Sequence, residues 1–255
     1  FKKELYMLKI KNILVAVSCL LPSPLACLAL RALGHSVGVK VKIGFSFVFV
    51  DSLSLGDNTS IGNGCILKCD SITLKQYAYI GRLNILHGPF SVILCKYAAI
   101  GNSNKLTRAS RGDATSGRAF IRLGELSKIT ADHRIDLTRS VYFGKYTTLG
   151  GTRSEIWTHG YVHGPHGPDR YRVDGSVVLE NNVYIGSRSL ISGGVRVGSS
   201  IQVGAGTVVS KSLTEKAMYV SQGLRVLPLP PDPNLRRDLS VDEAVTSEIV
   251  FTKSL

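Results

Sequence analysis

Six histidines, His35, His87, His133, His159, His163 and His166, are the side chains of this sequence best suited to moving a proton near neutral pH. Three of them crowd into THGYVHGPHGP, where His159 stands between a regularly patterned segment and the Gly/Pro-rich stretch GYVHGPHGPDRYRVDG. That stretch reads as a loop, the place where reactive side chains tend to be displayed. His133 lies in ADHRID with Asp136, and Glu155 and Asp136 are the nearest carboxylates preceding His159 in sequence that could orient it. The five cysteines, Cys19, Cys27, Cys65, Cys69 and Cys95, form no CxxC pair. A metal site at Cys65 and Cys69 would need scattered histidines to close it. These thiols therefore read as small buried side chains in a reducing compartment, and no metal is expected.

The elements that must position these groups show a period of six. Every sixth residue from Val37 is Val37, Ile43, Phe49, Leu55, Ile61 and Leu67, and from Val173 it is Val173, Leu179, Ile185, Ile191, Val197, Val203 and Val209. All are apolar, and glycine follows the marked residue at Gly44, Gly56, Gly62, Gly186, Gly198 and Gly204. A short strand and a turn, repeated with one inward side chain per unit, is a solenoid rung. Three such strands close a triangular coil, and parallel ladders between coils satisfy the backbone. The middle keeps fragments of the pattern at Ile80-Gly81, Ile100-Gly101, Leu123-Gly124 and Phe143-Gly144, spaced as coils with residues added at the corners. The expected fold is thus an all-β solenoid, a parallel β-helix over 37–227.

Both ends need covering. The apolar run Ile13–Leu33 follows Lys2, Lys3, Lys9 and Lys11 and is broken by Pro22 and Pro24 into pieces too short to span a bilayer. Two short helices are expected in 1–36, packed on the first coil or lying on a membrane interface. At the other end Pro228, Pro230, Pro231 and Pro233 stop the repeat, and Ser240 with Glu243 reads as a capping box opening a helix to about Val250, so 228–255 forms a Pro-rich linker and helix.

The net charge of +13 implies an anionic contact: nucleic acid, a membrane surface or a phosphorylated ligand. Aromatics at 7% disfavour a stacking platform for single strands, and no recognised nucleic-acid module is present, so no nucleic-acid partner is expected.

The segment VYIGSRSLISGGVRVGSSIQVGAGTVVSKSL, followed by YVSQGLRVL, resembles the closing coils of the hexapeptide-repeat acyltransferases, which run through VGAGSVVTKDV to VAGNPAKVI. The block ITADHRIDLTRSVYFGKYTTLGGTRSEIWTH is similar to their surface-polysaccharide subgroup. The resemblance implies a left-handed parallel β-helix, acetyl-CoA as co-substrate, a saccharide or lipid-linked saccharide acceptor and a homotrimer. A cytoplasmic location, with peripheral contact at the cytoplasmic face of the inner membrane, accompanies that role. It also implies that His159 in Thr158-His159 is the general base, with His163 in reserve. The chemistry calls for a carboxylate to orient the base, Glu155 or Asp136, and for an oxyanion N–H, which Gly150 or Gly151 could offer. His133, Asp136 and His163 would line the acceptor pocket. Gly204, Ala205, Ser210 and Lys211 would line the acetyl-CoA groove, with Arg225 near the ribose phosphate. One departure is QGL, Gln222 to Leu224, where the family has NPA. Two rivals stand beside this reading. One is a non-catalytic scaffold on a partner or anionic membrane. The other is a zinc lyase of the carbonic-anhydrase type, whose histidines five apart contrast with the spacings of four and three here.

Overall fold

A computed structural model describes residues 2–110, 115, 117–163, 165, 166, 168, 170–221, 239–241 and 251–253. The chain divides into two compact units, Phe1–Ser221 and Gln222–Leu255.

The first unit is a parallel β-solenoid of the left-handed β-helix class. One face is a nine-stranded parallel sheet, from Lys42–Ile43 through Tyr79–Ile80, Lys128–Ala131 and Tyr184–Ile185 to Met218–Tyr219, so nine coils stack along the axis. The other two faces belong to one fourteen-stranded sheet, because Phe47–Leu55 and Ile66–Leu74 run unbroken from the second face into the third. Leu67, Ile80, Leu86, Ile100, Ile135, Leu149, Ile185 and Val203 point inward and are buried, each pairing with its counterpart one coil away. The core is therefore a set of apolar columns, and the six-residue spacing is the sequence image of those columns.

Two marked residues depart from this register. Phe49 is only half-buried because Val48 and Val50 take the inward places on their strand. Val173 is 54% exposed and lies on a hairpin that leaves the solenoid altogether. Both fall beside a corner where the coil departs from a plain eighteen-residue turn, which breaks the phase of a count by six.

Coils approach so closely at the corners that side chains are excluded at several glycines. A Cβ on Gly101 would collide with the Thr130 carbonyl oxygen on the next coil. Polar side chains then tie coil to coil. At the corner after the first face, Ser46 Oγ accepts from the Cys65 N–H, Asn84 Oδ1 from the Asn104 N–H, Asn104 Oδ1 from the His133 N–H, His133 Nδ1 from the Ser154 N–H, and Ser154 Oγ from the Ser189 N–H. Each buried backbone donor that the turn takes out of the ladder is thereby satisfied by the coil beneath it.

Two helices cover the N-terminal end, as expected. Helix α1 (Lys2–Ser18) packs on Phe47–Leu55, and α2 (Ser23–Ala32) packs on Lys42–Ile43. Pro22 and Pro24 separate them, with Pro24 in the first turn of α2, where its missing N–H costs no hydrogen bond. Val15, Cys19, Ala26, Cys27 and Leu30 enter the core. All five cysteines are free thiols, four of them buried, and burial raises the Cys19 thiol to about 12.

The second unit pairs Leu239–Val241 antiparallel with Phe251–Lys253. Ser240, expected at a helix start, instead lies in a strand, since Leu239, Val241 and Phe251 favour extended backbone. The remainder of that expected helix and the four prolines before it lie outside the described residues.

Candidate active site

The corner between the second and third faces carries the histidine of interest. In successive coils the chain crosses this corner at His87–Phe90, then through a longer excursion from Arg108 to Ala119, then at Leu137–Ser140, and then through an excursion from Trp157 to Ser176. The last of these is a β-hairpin, His159–His163 antiparallel to Arg170–Asp174. His159 is its first residue, at the point where the chain steps off the solenoid.

Asp136 sits one coil earlier at the same corner, directly beneath. Its Oδ2 lies 2.9 Å from His159 Nδ1, and it is 9% exposed against 27% for the imidazole. The carboxylate is held by many donors. Oδ2 also accepts from the Thr158 N–H at 3.1 Å, the Thr138 N–H at 3.3 Å and the Thr158 hydroxyl, while Oδ1 accepts from the Thr138 hydroxyl at 3.0 Å. Such a carboxylate cannot swing, so it fixes the ring that it binds. With Nδ1–H donating to Asp136, the lone pair of the neutral ring sits on Nε2, which makes no hydrogen bond among the described residues. The arrangement is a carboxylate–imidazole pair with its free nitrogen turned toward solvent, the geometry of a general base.

Asp136, and not Glu155, therefore orients His159. Glu155 is closer in sequence but lies on the second face, where its Oε2 accepts from the Trp157 indole N–H at 2.8 Å. Asp136 is in turn no acceptor-pocket residue, being buried beneath the ring. His133 does not line a pocket either. It is 1% exposed, its Nδ1 accepts from Ser154 and its Nε2 lies 2.9 Å from Thr130 Oγ1, which makes it a corner residue of the polar column. Burial pushes its imidazole down to about 4. With Nδ1 accepting, the ring proton sits on Nε2 and donates to Thr130, whose hydroxyl donates on to the Gly151 carbonyl oxygen at 2.6 Å.

His163 is exposed on the hairpin opposite Arg170. Trp157, His159, Tyr161 and His163 alternate along the outgoing strand, with ring centroids 5.8, 6.4 and 6.5 Å apart in edge-to-face contacts. They form an aromatic stripe continuing outward from the base. The return strand brings Asp174 opposite His159, where its carboxylate meets Arg172 at 2.7 Å and Arg139 at 3.5 Å. Trp157, Tyr161, Thr138 and Asp174 escape a reading that looks for histidines and nearby carboxylates. The alternation W-x-H-x-Y-x-H was the available signal, since period two over such a run marks one face of a strand.

Ser210 and Lys211 are exposed on the same edge, two coils beyond His159. Trp157 N–H donates to the Ile191 carbonyl and Ser192 N–H to the Val209 carbonyl, which sets the stacking order. That places them about 10 Å along the axis. Gly204 and Ala205 turn the corner after the first face, where a Cβ on Gly204 would meet Val220 at 2.9 Å. Gly150 is buried, while Gly151 is exposed with φ +66°. Arg225 lies outside the described residues, as do Gln222, Gly223 and Leu224. Among the described residues no group of three or more His, Cys, Asp or Glu is placed to hold a metal ion.

No family model matches the chain. Among curated proteins it is 24% identical over 191 residues to the bifunctional protein GlmU of Baumannia cicadellinicola subsp. Homalodisca coagulata, covering 69% of this chain and 35% of the relative. The chain thus spans about a third of the length of the curated relatives it matches. Among solved structures, it is similar to the polySia-specific acetyltransferase NeuO, with 18% identity, 76% of this chain and 84% of that one covered, and a TM-score of 0.45. A hexapeptide-repeat containing acetyltransferase from Vibrio cholerae O1 biovar eltor, complexed with acetyl coenzyme A, matches at 15% identity over 88% of each chain with a TM-score of 0.38.

Proposed function

We propose that this protein is an acetyl-CoA-dependent O-acetyltransferase acting on a saccharide hydroxyl, in the assembly of a cell-surface polysaccharide, with His159 as its general base. The observation that carries the reading is the His159–Asp136 pair: a ring locked by a buried carboxylate, free at Nε2, at the edge of a hexapeptide-repeat solenoid. The sequence resemblance of the closing coils supplies the donor.

His159 Nε2 takes the acceptor hydroxyl's proton as its oxygen attacks the thioester carbonyl, and Asp136 stabilises the imidazolium that results. The carbon–sulfur bond then breaks, and the imidazolium returns the proton to the departing thiolate. Neutral His159 is restored without any outside proton. Ser210 and Lys211 suit the anionic end of coenzyme A, a cation and a hydroxyl donor on the same edge as the base. The stripe Trp157, Tyr161 and His163 offers apolar ring faces with polar tips to a sugar. The resemblance further implies a homotrimer whose clefts lie between subunits.

Calorimetric titration of acetyl-CoA into wild type and His159→Ala, followed by thiol release with a panel of sugar acceptors, tests this. Both should bind acetyl-CoA, and the variant should lose about 10²- to 10⁴-fold in turnover. No binding by wild type discards the enzyme and leaves a scaffold with a basic surface. Equal turnover in the variant removes His159 from the chemistry.

A further inference from the structure

The N-terminal cap shows its apolar side to water. From Ile10 to Leu28 every exposed side chain of α1, the connecting turn and α2 is apolar, whereas Asn12 and Ser18 are buried. Ile13, Leu14, Val17, Leu20, Leu25 and Leu28 are between 46 and 62% exposed. Both helices bury their other face in the solenoid core, so this surface looks away from the solenoid. A surface helix of a water-borne protein has the opposite polarity. Neither helix, among the described residues, is long and apolar enough to cross a membrane.

Beside this surface lies an open groove of about 1220 Å³, bounded by Ser23, Pro24, Cys27 and Arg31 of α2 on one side and by the first coils on the other. Arg31, Lys40, Lys42 and Arg82 line it, and among the described residues no Asp or Glu does. Arg31 is fixed at the boundary by bonds from Nε and Nη2 to the Val37 and Gly38 carbonyls. Val39 and Phe45, each 61% exposed, flank Lys40 and Lys42.

We infer that this cap docks on the surface of an anionic phospholipid bilayer, with the outer faces of α1 from Ile10 onward and of α2 in the acyl boundary and the basic groove against the phosphates. Apolar side chains adjoining a cluster of cations match the two layers of such a surface in order and in charge. A second copy of the chain fits less well, because a two-fold contact through the cap would bring the cations of the two grooves together. The inference goes beyond acyl transfer and does not depend on it.

Sedimentation of the full chain with vesicles tests the docking, using phosphatidylcholine alone and phosphatidylcholine with about one third phosphatidylglycerol. The wild type should partition onto the anionic vesicles at least about tenfold better. Leu14→Glu/Leu28→Glu should lose that binding about tenfold or more with an unchanged melting temperature, and Lys40→Glu/Lys42→Glu should bring it down to the level of neutral vesicles. Free glycerol 3-phosphate should displace nothing. Absence of wild-type binding, equal binding by the leucine variant, or displacement by glycerol 3-phosphate would overturn the proposal. So would a change of oligomeric mass in the leucine variant, which would assign the face to self-association. Should the leucine variant fail to fold, fluorescence of Leu28→Trp in a Trp157→Phe background gives a second reading: brominated lipid should quench it, and a lack of quenching refutes the docking.

Discussion

His133 turns the packing of the corner column into a pH-dependent quantity. In the unfolded chain its imidazole titrates near 6.5, and in the fold it is held neutral down to about 4. Its folded value is depressed, so the neutral form is the one the fold favours. The stability is fully present above 6.5 and is lost as pH falls from 6.5 toward 4, because only the unfolded state takes up the proton. At about 1.4 kcal/mol for each unit of pH, and counting the curvature near 6.5, this one group removes about 2 kcal/mol between about pH 7.5 and pH 5. His35 is lowered in the same sense by burial and by Lys11, and adds its own share in wild type and variant alike. The comparison is therefore wild type against His133→Asn, whose side-chain oxygen can still accept from the Ser154 N–H but cannot titrate. Urea unfolding at the two pH values, at fixed protein concentration, should show the wild-type midpoint falling by roughly 1 M more than that of the variant. The same fall in both would mean that His133 is not a buried neutral corner residue, and the reasoning from its hydrogen bonds would be wrong.

Asp136→Asn should leave acetyl-CoA binding in place and cut turnover by about 10³- to 10⁴-fold, since an amide would reverse the hydrogen bond to Nδ1 and put the proton on Nε2. Retention of more than about a tenth of wild-type turnover, with the melting temperature unchanged, would separate the pair from catalysis. Gly101→Ala should destabilise the solenoid by about 1 to 3 kcal/mol, since its methyl would collide with the Thr130 carbonyl. A melting curve superimposable on wild type would show that the coils can spread there.

The solenoid was legible because its physics has a short period. One inward residue and one corner glycine every six positions is a local pattern, visible without knowing what touches what. The site was legible only in part, for the same architecture separates sequence distance from spatial distance. Glu155 is four residues from His159 and is taken by the Trp157 indole N–H, whereas Asp136 is twenty-three away and directly beneath the ring. In a stacked fold the near neighbour is found one coil back, and corner insertions make that offset vary. His133 misled for a related reason. The corner column accepts Ser46, Asn84, Asn104, His133 and Ser154 alike, so long as each offers an acceptor to the next N–H, and no single letter marks it.

The two long excursions, beginning at Arg108 and at Trp157, leave from one edge and rejoin the following face in unchanged pairing: Phe120 still meets Ser91, and Val177 still meets Val141. Stacking thus has no memory of how much chain was spent outside. For an engineer, the hairpin after His159 is an exchangeable cartridge. A graft of another length, anchored at Thr158 and Ser176, would alter what reaches the base while leaving the register of every later coil untouched.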